Sequence, residues 1–304
     1  MAGTYRNNLS VLPLYDSLQE QLHRRPYSDG YIYPLYVHPH KLIPFFTCWV
    51  GDTTDLVISK INIHRVCDCG DILFREITSE GGGTPLGDFN IDFSRDFFVN
   101  TVTPEDFATL TTLIRPDFQD YSIIYYTGNT PETSWNLPRG QFYLEIILSN
   151  DRKFYSEVFT VVPENELSHM VAIEWRDFSN LLFEEGYIPY ENGYVNKVYL
   201  NTSIGKPEYS YEEEGKDRNG YFFPEKQLSK KTFNFKAFAP ESLCDSLRIV
   251  GLSDHVVIED PEGRIYRPTS FNFEAEWLED GFLADIQCEF NTNTVVKAVG
   301  KPIY

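Results

Sequence analysis

From about residue 43 onward, apolar and polar positions alternate with a period of two, the repeat of a strand whose faces meet different surroundings. The clearest instance lies at 141–148, where Phe142, Leu144, Ile146 and Leu148 alternate with Tyr143, Glu145 and Ile147. Ser149-Asn150-Asp151-Arg152 supplies turn residues, and the strand pattern resumes at 153–162, so the spacing predicts a hairpin. Earlier strands are predicted at 45–50, 56–65, 71–77, 89–99 and 121–127. One helix interrupts them: Thr103 can cap it, Pro104 suits its first turn, and Glu105 and Asp106 oppose its dipole. Phe107, Leu110 and Ile114 share a face, and Pro116 ends it.

The second half continues the pattern at 169–175, 194–201, 208–214, 231–238, 255–259, 263–267, 270–277 and 283–290. Phe233, Phe235 and Ala237 against Thr232, Asn234 and Lys236 mark a half-buried strand. A helix is predicted from Pro240 to about residue 250, with Leu243, Leu247 and Val250 on one stripe and Gly251 to end it. Asp260-Pro261-Glu262-Gly263 reads as a turn between two strands, and the run 215–220 as another. Residues 1–40 carry Pro13, Pro26, Pro34 and Pro39, which leave room only for a short helix at 16–23. That segment reads as an extended arm lying on a neighbour or on its own first domain. The expected fold is mainly β, with two β-sandwich-like domains that have one short helix each. An immunoglobulin-like domain is expected at 41–162 and a β-rich domain with one helix at 163–304.

A chain of 304 residues is long for one hydrophobic core, which supports the division into two. Aromatics make up 15%, with 20 Tyr and 23 Phe, a bias toward strands and contact surfaces. Forty-five acidic against 26 basic residues give a net charge of −19, which repels nucleic-acid phosphates and anionic membranes. The basic pairs Arg24-Arg25 and Lys230-Lys231 are too small to reverse that, so neither nucleic acid nor membrane is expected as a partner. The start of the chain lacks an apolar signal core and no run reaches the length of a membrane span, so the expected location during synthesis is a cytoplasm. Five cysteines, Cys48, Cys67, Cys69, Cys244 and Cys288, are expected as thiols.

Motifs for chemistry are weak. His64, Cys67 and Cys69, with His38 and His40 upstream, offer zinc-type donors, but one residue between the cysteines is too few for common zinc fingers. Glu212-Glu213-Glu214 with Asp217 could serve calcium or a carboxylate pair, yet adjacent strand residues face opposite ways, and a charged hairpin end is the simpler reading. The glycine-rich run 81–87 lacks the Lys-Ser/Thr pair of a phosphate loop, and no Gly-x-Ser-x-Gly elbow exists. No cofactor, metal or catalytic residue is therefore assigned. Tyr221-Phe222-Phe223-Pro224 is different: it places bulky neighbours beside a turn where at most one face can be buried in the same domain, so these are candidate interface residues, with core packing, including against the arm, as the other reading.

Several blocks carry a family resemblance. Residues 199–209 (Tyr199-Leu200-Asn201-Thr202-Ser203-Ile204-Gly205-Lys206-Pro207-Glu208-Tyr209), 220–227, 239–245 and 294–297, joined by 137–145 and 155–159, resemble structural tail, neck or ring proteins encoded by phages and prophages of gut Bacteroidota, including crAss-like phages. The resemblance covers roughly 137–304 and brings no catalytic residues. It implies a non-enzymatic virion component of the tail, neck or baseplate, forming a homo-oligomeric ring and touching other virion proteins, located in the virion and, during assembly, in the host cytoplasm. The alternative from another class is a carbohydrate- or receptor-binding module of the tail. Trp49, Trp135, Trp175 and Trp277 are too scattered to define a sugar platform for it.

Overall fold

Strands dominate as the period-two pattern requires, and they build several antiparallel sheets with few helices, a mainly β, sandwich-like fold. The computed structural model describes residues 11–23, 33–40, 47–51, 58–67, 70–78, 97–102, 121–126, 135–177, 195–218, 220–277 and 282–298. The helix expected at 103–116, the glycine run at 81–87 and Cys69 lie outside them.

The first sheet has seven strands: β1 (Leu14–Tyr15), β2 (Tyr36–Val37), β4 (Ile58–Arg65), β5 (Ile72–Thr78), β8 (Gly140–Leu148), β9 (Lys153–Ser156) and β10 (Phe159–Val161). β8 is its spine. One edge pairs with β4, which carries β5; the other pairs first with β10 and then with β9. Phe142, Leu144, Ile146 and Leu148 are fully buried as their alternation predicts, and Tyr143 and Glu145 on the opposite face are buried as well. The strand expected at 153–162 is broken at Glu157. The carboxylate of this buried residue accepts a hydrogen bond from the Tyr15 hydroxyl at 2.8 Å and from the Val158 amide at 3.0 Å, at the point where the chain passes from β9, paired with β1, to β10, paired with β2.

The proline-rich N-terminal segment is built into this sheet wherever it is described. β1 pairs antiparallel with β9 and β2 parallel with β10, and Val11, Leu12, Leu35 and Val37 lie in the core. Helix α1 (Leu18–His23) falls where a helix was expected; Ser17 Oγ caps it through the Glu20 amide, and Gln21 reaches the Ser156 carbonyl. Strands β3 (Thr47–Gly51), β6 (Phe97–Val102) and β7 (Tyr121–Tyr126) form a separate three-stranded sheet.

After the four-residue helix α2 (Glu164–Leu167), two four-stranded sheets follow. One contains β11 (Val171–Arg176), β12 (Asn196–Leu200), β15 (His255–Glu259) and β16 (Ile265–Tyr266) in the order β12-β11-β15-β16. The other, in the order β13-β14-β18-β17, contains β13 (Glu208–Arg218), β14 (Tyr221–Pro240), β17 (Ser270–Trp277) and β18 (Leu283–Ala298). Phe233, Phe235, Phe290, Ile286 and Cys288 line the inner face of this second sheet, and the Tyr266 ring of the first packs on Phe233 and Phe290 at 4.9 and 5.5 Å between centroids. Helix α3 (Glu241–Leu247) follows Pro240 as predicted, and Leu243, Leu247 and Val250 are all buried. The helix stops at Leu247 rather than near 250, and a 3-10 turn over Val250–Leu252 completes it. Buried apolar side chains form one continuous cluster from Val11 to Phe290, running across the boundary expected at 162.

β14 and β18 are much longer than their apolar patterns indicated. Their antiparallel ladder runs from Pro240 opposite Leu283 to Lys226 opposite Ala298, and β13 continues along β14 to a hairpin in which Arg218 faces Tyr221. The run 215–220, expected as a turn, is strand up to Arg218 with a bulge at Glu214/Gly215; the reversal is tighter, with Gly220 at φ 81°. From Phe233 to Tyr221, at ~3.4 Å per residue, β14 extends about 40 Å.

Gly251 is required by close approach. A Cβ there would stand 2.5 Å from the Phe271 carbonyl oxygen, a backbone atom that cannot swing aside. Gly251→Ala is expected to force the 3-10 turn off β17 and destabilise the protein by roughly 1–3 kcal/mol, read as a lowered denaturant midpoint with unchanged slope.

Candidate functional site

The long β14–β18 sheet has two regions. Near Pro240 its inner face is core. Beyond Phe233 that same face carries Lys231, Tyr209, Tyr211 and Val295 in register, and Tyr209, Tyr211 and Val295 are exposed. The outer edge of β18 is covered by β17 only to Asn291, which faces Ser270; from Thr292 to Ala298 no described residue pairs with it. On the opposite side β13 is the terminal strand of the sheet. Among the described residues the projecting part is thus a three-stranded ribbon with two unlike edges that no further strand covers, one β-branched (Thr292, Thr294, Val295, Val296) and one acidic (Glu208, Glu212, Glu213, Glu214).

The acidic triplet is held by cross-strand partners. Glu212 receives two hydrogen bonds from Lys230 at 2.8 and 2.9 Å, Glu213 one from Gln227 at 2.6 Å, and Glu214 one from Lys226 at 3.4 Å. Successive carboxylates on alternate faces serve as rungs of the ribbon, with no shared cleft. The candidate interface residues Tyr221, Phe222, Phe223 and Pro224 open β14 at the ribbon's far tip, opposite Arg218, Asp217, Lys216 and Gly215.

Where the ribbon leaves the sandwich, a cavity of about 530 Å³ is lined by Lys231, Phe233, Ile265, Tyr266, Arg267 and Thr292. Its wall is set by Asp260. This buried carboxylate, at the turn predicted from Asp260-Pro261-Glu262-Gly263, accepts hydrogen bonds from the Glu262 and Arg264 amides, from Arg264 Nε at 2.7 Å and from the Tyr266 hydroxyl at 2.9 Å. Gly263, at φ 76°, closes the loop by donating its amide to the Asp260 carbonyl. Tyr266 is thereby fixed at its hydroxyl and packed edge-on against Phe233 and Phe290. Lys231 Nζ lies 5.0 Å from the Phe233 ring centroid and 6.0 Å from that of Tyr209. Among the described residues neither Lys231 nor Arg267 has an ion-pair partner.

A second polar cluster lies on β8. Glu145 accepts hydrogen bonds from Asn62 Nδ2 at 2.6 Å, Lys153 Nζ at 2.9 Å and the Tyr155 hydroxyl at 3.2 Å; His64 Nε2 is also 3.2 Å away, with its ring stacked on Tyr143 at 4.8 Å. Burial raises its pKa, but hydrogen bonds from Asn62, Lys153 and His64, with the Lys153 charge, prevail and hold it at about 2. A carboxylate so saturated with donors joins β4, β8 and β9; it is a weak base and has little capacity left for a ligand.

The other candidates are dispersed. His64 belongs to the Glu145 cluster, His38 accepts from the His40 amide, and Cys67 is half-buried; no group of three metal-type ligands occurs among the described residues. Cys244 and Cys288 are buried free thiols, and burial pushes the Cys244 thiol up to about 12. Trp135 and Trp175 are fully buried, and Trp277 is half exposed. Sequence reading weighed Lys231 only as half of a basic pair and passed over Ile265, Tyr266, Arg267 and Thr292, because these residues come from β14, β18 and the stretch at and just after β16, with no common spacing; the local signal was the Asp260 turn. In comparisons with known proteins, no protein family and no curated protein matches this chain.

Asp260 resembles Glu145 electrostatically. Burial raises its pKa, while the Arg264 amide, the Tyr266 hydroxyl and the Arg264 guanidinium lower it, and the lowering prevails. Both groups are held below their unfolded values of about 4, so the stability they contribute is complete above that pH and is lost as pH falls through their folded values. The melting temperature is expected to drop steeply below about pH 4. In Asp260→Asn and Glu145→Gln, stability at pH 7 falls and part of that acid dependence disappears, as thermal melts from pH 7 to 2 will show.

Proposed function

We propose that this chain is a non-enzymatic structural subunit of a phage particle, in the tail, neck or baseplate, assembling head-to-tail into a ring with further copies of itself and with other virion proteins. The observation that carries the self-assembly is the pair of unlike open edges on the projecting ribbon. An edge with unpaired amides and carbonyls is a template for another strand, and two different edges on one subunit join copies heterologously, the contact type that closes into rings. The β18 edge, with Val295 and Val296 exposed, meets the β13 edge of the next copy, and the candidate interface residues Tyr221 to Pro224 stand at the ribbon tip. The virion assignment rests on the family resemblance over 137–304. The described parts of the N-terminal segment pack within their own sheet, so a clasp by the arm falls to residues outside the described ones.

Light scattering across a concentration series is expected to give a discrete multiple of the 35.3 kDa subunit mass. Lysine at both exposed positions, Val295→Lys with Val296→Lys, blocks the edge. That variant is expected to remain folded, with an unchanged melting temperature, and to weaken association by at least about tenfold; Phe222→Ala with Phe223→Ala is expected to do the same. An unchanged mass in the lysine variant overturns the edge contact, and a monomer at every concentration favours a carbohydrate- or receptor-binding module instead.

A further inference from the structure

We propose that the cavity at the ribbon's root is a binding site for a carboxylated sugar. Its chemistry separates it from the rest of the surface. In a chain of net charge −19, Lys231 and Arg267 are two cations without an ion-pair partner among the described residues, and both line one 530 Å³ cavity. The volume lies within the range of small-molecule sites and suits a ligand of one or two sugar rings. The cations sit beside aromatic surface, Phe233 and Tyr266, and beside the Thr292 hydroxyl.

Each neighbour narrows the ligand class. Arg267 presents a planar fork that matches a carboxylate in bidentate fashion, with Lys231 as a second point charge. A polyphosphate is disfavoured, because among the described residues no helix N-terminus or glycine-rich nest lines the cavity, and the protein's field opposes a multiply charged anion. A purely apolar acid leaves Thr292 unused. A sugar ring offers C–H groups to the aromatic face and hydroxyls to Thr292 and solvent, while its carboxylate meets the cations. Preorganisation comes from Asp260, which fixes Tyr266 through its hydroxyl and leaves the ring as a rigid wall. This site is independent of the ribbon edges and stands or falls apart from self-assembly.

The test is calorimetric titration of the full chain with glucuronic acid, with glucose and acetate as separate arms. Glucuronic acid is expected to bind with millimolar-range affinity, as a single sugar ring does, and to weaken as salt rises; glucose and acetate bind at least tenfold more weakly. Lys231→Met keeps the aliphatic stem against Phe233 and, combined with Arg267→Gln, is expected to reduce glucuronic acid binding at least tenfold without moving the melting temperature. Equal binding of acetate overturns the sugar assignment, equal binding of glucose overturns the role of charge, and no binding, or full binding by the folded double variant, overturns the site.

Discussion

The β14–β18 ladder is the constraint on which the second half of the molecule depends. One end is embedded in the sandwich, where Phe233 stacks on Phe290 at 5.3 Å and Phe235, Cys288, Ala237 and Ile286 continue the same face. Because side chains alternate strictly, anchoring that face in the core determines which side chains every residue further out presents. Lys231, Tyr209, Tyr211 and Val295 are solvent-facing continuations of a core row. The bulge between Ser229 and Lys231 lies near the point where the sheet leaves its cover, and bulges increase local twist. The loop before β13 protects β14 at its root: the Gly205 amide donates to the Asn234 carbonyl and the Thr202 hydroxyl to that of Lys236, covering an edge β13 does not reach.

Legibility in the sequence followed burial. Where one face is core, alternation placed the strands: β15 and β17 lie at 255–259 and 270–277 as expected, and the stripe of Leu243, Leu247 and Val250 found α3. Beyond the core the same strands lose their pattern, since neither face is consistently buried. Residues 221–230 and 291–298 therefore carried no strand signal of their own, although 226–230 and 291–298 belong to the β14–β18 ladder, the longest among the described residues, and 221–224 pair with β13. The acidic triplet read as a hairpin end because its partners Lys226, Lys230 and Gln227 become visible only once the register is known. Prolines obscured the N-terminal segment in another way: β1 and β2 are two residues each, long enough to extend a sheet but too short for periodicity.

The two buried carboxylates show how similar electrostatics serve different ends. Glu145 gathers side chains from β4 and β9 onto β8, binding three strands of one sheet at a point where neither face is free. Asp260 gathers its own turn: three of its donors come from the next four residues, and the fourth, Tyr266, is the one that reaches into the other sheet. Both carboxyls stay ionised because charge-assisted donors outweigh the cost of burial. Only Asp260 thereby shapes a surface, since the ring it fixes faces open space on one side.

Lys231 ties the cavity to the ribbon. Its ammonium lies between the Phe233 ring, which lines the cavity, and the Tyr209 ring on the ribbon face, and no carboxylate among the described residues pairs with it. Such a contact is worth about 0.5–1 kcal/mol at an exposed site, much less than a charge-assisted bond to an anion would offer. The carboxylate of the proposed ligand would therefore compete for the ammonium on favourable terms.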